Sequence, residues 1–346
     1  MRHSVLNLLL LKVLMLACVC LYAQKGQKAT LLRIYEDNDF LNIRGKGTDR
    51  AYSGGTRLDL FYRQNRKPFL FPAFLESKKD STIFFGQWGL MQTIFTPDNI
   101  SDADFQPNDY FYSGALFVIH SLYSFNPLRQ YSFQLELQLG IRGPAAFGKQ
   151  AQTFMHRLIG YTIPMGWDNQ LPNMPVINAS LFFEKQIASS SKYFELIAGV
   201  KLHMGTLRNG ITVSHQFRWG LMNSYFSGYI SQFSGSLFNK NQKGNKIQAY
   251  VVVKPELQFV FSNALLEDCF FGKTTTRQVD SRRLDMLTGI NSHTPSDIRN
   301  MVYAINYGVV LSSGKCALSF VQNTSSEMRK GTYSHEVGNI SLYFHL

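Results

Sequence analysis

The sequence predicts an all-β fold, a transmembrane antiparallel β-barrel of about twelve strands with a short helix in an extracellular loop. Three observations predict it: long stretches of alternating apolar and polar residues, a low charged fraction of 17% beside 14% aromatic residues, and a secretion signal at the N-terminus. Soluble domains usually contain about 25% charged residues. A chain this rich in apolar and aromatic residues can bury a large core, which excludes intrinsic disorder.

The alternating stretches have the period of β-strands, because successive side chains of a strand point to opposite faces. Residues 131–139 (YSFQLELQL) alternate aromatic or Leu residues with Ser, Gln and Glu, and residues 194–204 repeat the pattern. These stretches are longer than most strands of soluble proteins. In an outer-membrane barrel the apolar face meets lipid and the polar face lines the lumen.

Twelve segments are candidate strands, and an even number is typical of a closed barrel made from a single bacterial chain. The last segment alternates apolar residues up to the C-terminal Leu346, which resembles the assembly signal of outer-membrane barrels. We predict one barrel domain, residues 24–346. The candidate strands lie near residues 29–38, 51–63, 81–95, 109–124, 130–143, 176–188, 192–205, 211–221, 246–262, 300–313, 315–324 and 334–346.

Residues 1–23 have the pattern of a secretory signal peptide. Basic Arg2 and Lys12 accompany an apolar run that ends near Ala23. Cleavage after Ala23 would export the chain and lower its formal charge of +12 by two. An N-terminal membrane anchor and a lipoprotein signal cut before Cys18 are the alternatives.

Two long segments between candidate strands break the alternation. Residues 150–160 favour a helix with Phe154, Leu158 and Ile159 on one side. Residues 264–299 are mostly polar and predict a long loop of low order.

Polar residues in the first strand and in the predicted helix are candidates for chemistry. Residues 36–39 (EDND) offer carboxylate and amide oxygens, which are the ligands that Ca²⁺ prefers. The same residues are also typical of a polar loop beside a strand. Gln152 lies one helical turn before His156, so both share a face. An imidazole can act as a general base near neutral pH, although a single histidine in a helix is often only a polar surface residue.

Several blocks of the sequence follow one another in a recognisable order. They are residues 38–40 (NDF) with 48–55 (TDRAYSGG), 92–97 (QTIFTP), 139–144 (LGIRGP), 152–160 (QTFMHRLIG) with 167–170 (WDNQ), and 326–329 (SEMR). In this order the blocks resemble the lipid A 3′-O-deacylase family, LpxR. They span nearly the whole chain after the signal peptide.

The resemblance implies a twelve-stranded outer-membrane barrel whose site lies between the barrel wall and a loop helix, at the outer-leaflet end. It implies hydrolysis of the ester of the 3′-linked acyloxyacyl group of lipid A, with Ca²⁺ as cofactor and chemistry similar to secreted phospholipase A2. The implied partner is lipid A, or lipopolysaccharide, in the outer leaflet of the bacterial outer membrane. We expect a monomer and no nucleic-acid partner.

The resemblance also implies roles for individual residues. His156 would be the base that activates water, while Asn38 and Asp39 would bind Ca²⁺ or orient the base. Ser53 matches the family's Thr or Ser before glycine. Gln152 matches its glutamine one turn before the histidine.

Two positions depart from the family pattern. An acidic family position falls near Thr162, which is not acidic, and a basic one falls in the region from Asp98 to Asp102, which is acidic here. Arg50, Lys149 and Arg157 are therefore the candidates for contacts with the phosphates of lipid A. The positive net charge suits a surface that faces a phosphorylated lipid.

Three other functions remain open at this point. The chain could form a non-catalytic barrel with a pore or assembly role, a serine-type outer-membrane lipase that uses Ser53 with His156, or a soluble secreted β-sandwich. A pore would not require the set Asn38, Asp39, Ser53 and His156.

Overall fold

The chain folds into a closed antiparallel barrel of twelve strands, as the alternation predicts. The computed structural model describes residues 29–43, 50–64, 68, 82–190, 193–234, 245–267, 269–270, 273–274 and 298–346. The signal-peptide prediction and most of the loop predicted at 264–299 lie outside these ranges. The closed barrel rules out the β-sandwich alternative.

Each of the twelve candidate segments coincides with a strand. The strands are β1 (Ala29–Asn38), β2 (Ala51–Gln64), β3 (Ile83–Thr96), β4 (Ser113–Asn126), β5 (Tyr131–Arg142), β6 (Met174–Ser190), β7 (Phe194–Gly205), β8 (Arg208–Leu221), β9 (Ile247–Asn263), β10 (Met301–Ser313), β11 (Cys316–Ser325) and β12 (His335–His345). A two-residue hairpin, Cys269–Phe270 with Lys273–Thr274, lies between β9 and β10.

Consecutive strands are neighbours all the way round, and the barrel closes where β1 pairs with β12. Leu32 lies opposite Phe344 across this seam, and Asn38 lies opposite Gly338. The C-terminal strand thus completes the barrel. Within the described ranges, no helix has the length and apolar character needed to cross a bilayer.

The alternation separates an apolar outer surface from a polar lumen. The outward-facing Leu139, Met204 and Trp219 are 58%, 72% and 71% exposed. Glu136 on β5 and Glu195 on β7, which face inward, are buried. An apolar outer surface of this kind is stable only against lipid, which agrees with a membrane barrel.

A buried ion network holds the lumen together around Asp59. Its carboxylate accepts hydrogen bonds from Nε of Arg33 at 2.7 Å, from Nε of Arg57 at 2.8 Å and from the Gln87 amide. The Asp59 side chain is fully buried. Two guanidinium groups and an amide therefore compensate for the loss of water around this carboxylate.

The connection between β8 and β9 folds into the lumen. A 3₁₀ turn (Tyr225–Ser227) leads into the short helix α2 (Tyr229–Phe233). Tyr229 stacks on Phe61 with ring centroids 4.4 Å apart, and Phe233 stacks on Tyr343 at 4.0 Å. This segment fills the lumen at the lower end of the barrel, which we define as the end where β1 begins and β12 ends.

We expect removal of the Asp59 charge to destabilise the barrel strongly. Asp59→Asn would leave Arg33 and Arg57 buried without their shared carboxylate, a loss of about 3–5 kcal/mol in the free energy of unfolding. Urea unfolding of the barrel in lipid vesicles measures this loss. Asp168→Asn is the control, because the Lys149–Asp168 pair is exposed and should contribute about 0–1 kcal/mol. Equal losses of unfolding free energy in the two variants would contradict a stabilising role of the ion network around Asp59.

Candidate active site

The predicted helix is present as α1 (Gly148–Ile159) and lies at the upper end of the barrel, where β1 ends. It begins at a close contact: a Cβ on Gly148 would lie 2.6 Å from the Trp167 ring. It ends at Gly160, whose φ of +68° suits glycine and whose N–H donates to the His156 carbonyl. Gly148 therefore lets the helix begin close to the barrel, and Gly160 ends it.

A cavity of about 370 Å³ lies between α1 and the outer wall of β1–β3. Its lining includes the five residues proposed for catalysis, namely Asn38, Asp39, Ser53, Gln152 and His156. The lumen contains a separate cavity, lined by the inward-facing residues of the same strand, Arg33, Tyr35 and Asp37. The candidate site therefore lies on the outside of the barrel wall.

Glycine makes room for the polar end of β1. Asn38 pairs with Gly54 on β2, and the register shifts between Tyr52 and Gly54, so that Ser53 forms a bulge. A Cβ on Gly54 would lie 3.1 Å from Nδ2 of Asn38. The segment 53–55 (SGG) thus leaves room for the Asn38 side chain at this strand end.

Backbone N–H groups hold Asn38 and Asp39 in place. Oδ1 of Asn38 accepts from the Phe40 N–H at 2.8 Å and begins a 3₁₀ turn, Asp39–Leu41. Oδ2 of the buried Asp39 accepts from the Arg50 N–H at 2.9 Å. The amide and carboxylate oxygens of this pair are the kind of donors that suit Ca²⁺. Among the described residues, no group of three or more His, Cys, Asp or Glu side chains forms a metal cluster.

His156 lies on the buried face of α1 and contacts the segment that follows the helix. Its Nδ1 makes a hydrogen bond with the backbone carbonyl of Thr162. The Tyr161 ring packs edge-on against the imidazole, with centroids 5.2 Å apart. One turn earlier, Oε1 of Gln152 accepts from Nε1 of Trp167 at 2.8 Å. Gln152 thereby ties α1 to the buried Trp167.

The contact with Thr162 indicates which nitrogen of the neutral His156 ring carries the proton. A carbonyl oxygen only accepts hydrogen bonds, so Nδ1 must carry the proton and Nε2 carries the lone pair of the neutral ring. A backbone carbonyl therefore orients the imidazole, a task for which a carboxylate is not required. The sequence does not reveal this partner, because every residue has a main-chain carbonyl and the residue type does not show which one contacts His156.

Ser53 and Gln92 contact other groups at the edge of the cavity. The Ser53 hydroxyl makes a hydrogen bond with the Thr96 hydroxyl. Nε2 of Gln92 donates to the Ala146 carbonyl at 2.6 Å and joins β3 to the loop that leads into α1. The block 92–97 stands out in the sequence, but the role of its glutamine becomes visible only in the fold.

The three candidates for phosphate contacts do not line the cavity. Arg50 pairs with Asp98 at 3.6 Å, and its guanidinium carbon lies 4.5 Å from the ring centroid of Tyr333. The pKa of Tyr333 is raised well above its usual value by burial and by the nearby Asp109 carboxylate. Lys149 pairs with Asp168 at 2.7 Å. Arg157 is exposed on α1. Their contacts with phosphates stay a prediction.

Comparison with known proteins identifies the family. The family model described as outer membrane protein LpxR matches residues 8–346. The chain belongs to the LpxR family. Membership confirms the resemblance seen in the sequence blocks, and it places this LpxR-family protein in the outer membrane.

A solved structure of an LpxR protein has a similar fold. LpxR from Salmonella typhimurium has a TM-score of 0.67 at 18% identity, covering 92% of this chain and 100% of its own. Two autotransporter barrels have lower TM-scores. The β domain of Bordetella BrkA has a TM-score of 0.42 at 11% identity, covering 92% of this chain and 100% of its own. The translocator domain of NalP from Neisseria meningitidis has a TM-score of 0.41 at 5% identity, covering 99% of this chain and 96% of its own. No curated protein matches the chain.

We expect His156 to be the Nδ1–H tautomer when neutral, because Thr162 offers only an acceptor. Nitrogen-15 NMR of the ¹⁵N-histidine-labelled barrel, with His156→Gln used to assign the signal, measures this directly. A protonated Nε2 with a lone pair on Nδ1 would contradict the orientation that the Thr162 carbonyl imposes. His215, which faces outward on β8 and does not line the cavity, serves as the reference histidine.

Proposed function

We propose that the protein hydrolyses the ester that holds the 3′-linked acyloxyacyl group of lipid A, with His156 as the base that activates water. Family membership implies lipid A deacylation. The observation that carries the proposal for the residues is the single cavity that Asn38, Asp39, Ser53, Gln152 and His156 line together.

The position of the cavity suits a substrate that resides in the membrane. It opens on the lipid-facing wall, and α1 beside it exposes Phe154, Leu158 and Ile159. A helix with this apolar side is expected to lie at the membrane interface. Lipid A in the outer leaflet could then reach His156 from the side, without entering the barrel.

The proposed hydrolysis needs a base, a held water and a stabilised oxyanion. Nε2 of His156 takes a proton from water as the water oxygen attacks the ester carbonyl carbon. The tetrahedral intermediate then breaks the bond to the sugar oxygen, and the imidazolium returns the proton to this leaving oxygen. The Thr162 carbonyl keeps Nδ1–H in place during both transfers and so preserves the orientation of the ring.

Asn38 and Asp39 are the residues proposed to hold Ca²⁺, since both have oxygen ligands and both line the cavity together with His156. A bound Ca²⁺ would polarise the ester carbonyl and stabilise the oxyanion. Because Ca²⁺ takes six to eight oxygen ligands, water and substrate oxygens would complete its coordination.

Contacts in the described residues weigh against the two remaining alternatives. A pore needs a lumen that is open at both ends, but the segment containing α2 fills the lower end. A serine nucleophile needs its hydroxyl at the catalytic base, whereas the Ser53 hydroxyl makes a hydrogen bond with Thr96. Ser53 fits better as a residue that shapes the cavity.

Mass spectrometry of lipid A tests the proposed function. Cells that produce the wild-type protein should lose the mass of one acyloxyacyl group from lipid A, and His156→Ala should abolish this loss. His215→Ala, a change of an exposed histidine on β8, should keep full activity. Chelation of Ca²⁺ in membranes should stop the reaction, and added Ca²⁺ should restore it.

Unchanged lipid A with a correctly folded wild-type barrel would refute the enzymatic role. Persistent hydrolysis by His156→Ala would refute the assignment of the base. Hydrolysis that chelators leave unaffected would refute only the role of Ca²⁺ and not the hydrolytic function. Migration of the unheated barrel on gels shows whether each variant has folded.

A further inference from the structure

Below the cavity, the outer wall of β1–β3 changes from polar to apolar. The strand register puts Glu36, Thr56 and Gln92 in one row, and all three line the cavity. Two residues further along each strand, toward the lower end, lies an apolar row. It consists of Ile34, Leu58 and Leu90, and we call it the apolar strip.

The apolar surface continues beyond the strip. The next row is formed by Leu32, Leu60 and Trp88, and Trp88 stacks on His120 of β4 with ring centroids 4.2 Å apart. Four residues of strand separate this row from the polar one, a length of roughly 13 Å at 3.3 Å per residue, or about 10 Å of depth at the roughly 40° tilt of barrel strands. Half of a bilayer's hydrocarbon core is about 15 Å thick. The wall below the cavity can thus accompany an acyl chain through about two thirds of this depth.

The side chains of β2 and β3 on this part of the wall are recessed. Leu58 and Leu90 are half-buried and Leu60 is buried, whereas Ile34 on β1 is 42% exposed, and Leu139 on β5 and Met204 on β7 are more than half exposed. All six face outward on the same barrel. A recessed apolar surface gives a single chain more contact than a convex wall does.

Apolar residues also line the path from the cavity to the strip. Met155 and Ile159 line the cavity from α1, and Ile94 lines it from β3. An ester held beside His156 would therefore have its acyl chain between the helix and the wall. The row of Glu36 and Thr56, in which Thr56 donates to the Glu36 carboxylate at 2.7 Å, marks the polar boundary that the chain crosses.

We propose that the acyl chain whose ester is cut lies along the apolar strip, and that Leu58 at the centre of the strip determines which chain length is accepted. The proposal rests on the proposed function, because it requires the ester to lie beside His156. The occupant is the acyl chain of lipid A, since the strip begins where the cavity for its polar part ends.

Substitutions of Leu58 test the effect on chain length. Leu58→Trp should lower kcat/KM for lipid A with long acyl chains about tenfold more than for lipid A with short ones, because the larger side chain fills the strip. The control is Leu181→Trp, an outward-facing position on β6 that is 40% exposed, which should leave this ratio unchanged. A ratio that changes equally in both variants would overturn the proposal.

Photo-crosslinking tests the position of the chain without requiring hydrolysis. Folded His156→Ala barrel in vesicles receives lipid A with a diazirine on the 3′-linked acyl chain. Crosslinks should concentrate on β2 and β3 around Leu58 and Leu90, and Leu58→Trp should displace them. Crosslinks spread evenly around the barrel would overturn the proposed position of the acyl chain. Crosslinks on the apolar strip, together with a wild-type protein that releases no fatty acid, would support this position and refute the proposed hydrolysis.

Discussion

The structure depends on one constraint, the strict alternation of side chains along β1 up to its last residue. Asp37 points into the lumen with Tyr35 and Arg33, while Asn38 points to the outer wall. A shift of one residue in register would exchange these two sides and remove Asn38 from the cavity. The pairing of β1 with both β2 and β12 fixes the register and so fixes the site.

The same alternation separates stability from chemistry. Inside the barrel, buried ion pairs and stacked aromatic rings occupy the lumen around Asp59 and Tyr229. Outside, the polar ends of β1 and β2 meet a helix that glycines hold close to the wall. The lumen can therefore be packed for rigidity, while the outer wall remains open to a lipid substrate. This arrangement places the candidate site at the border between the polar and the apolar surface.

Much of this fold can be predicted from the sequence, because a barrel strand has a period of two and each strand is long. The predictions of all twelve strands and of α1 are confirmed, as is the shared face of Gln152 and His156. Contacts that involve the main chain cannot be predicted in this way. The Thr162 carbonyl beside His156 and the close approach of Gly148 to Trp167 both depend on how a loop folds back on the wall. Pairing of Arg50 and Lys149 with nearby carboxylates is equally invisible, since their partners follow at long sequence distance.

A double-mutant cycle on lipid A hydrolysis tests most directly whether the end of β1 and α1 form one catalytic site. It compares kcat/KM for the wild type, Asp39→Asn, His156→Gln and the double variant. If both side chains act on the same ester, the double variant should be no slower than the slower single variant, because residues that act as a unit have non-additive effects. Losses that multiply would show that the two residues act independently, and this result would contradict a single site shared by β1 and α1.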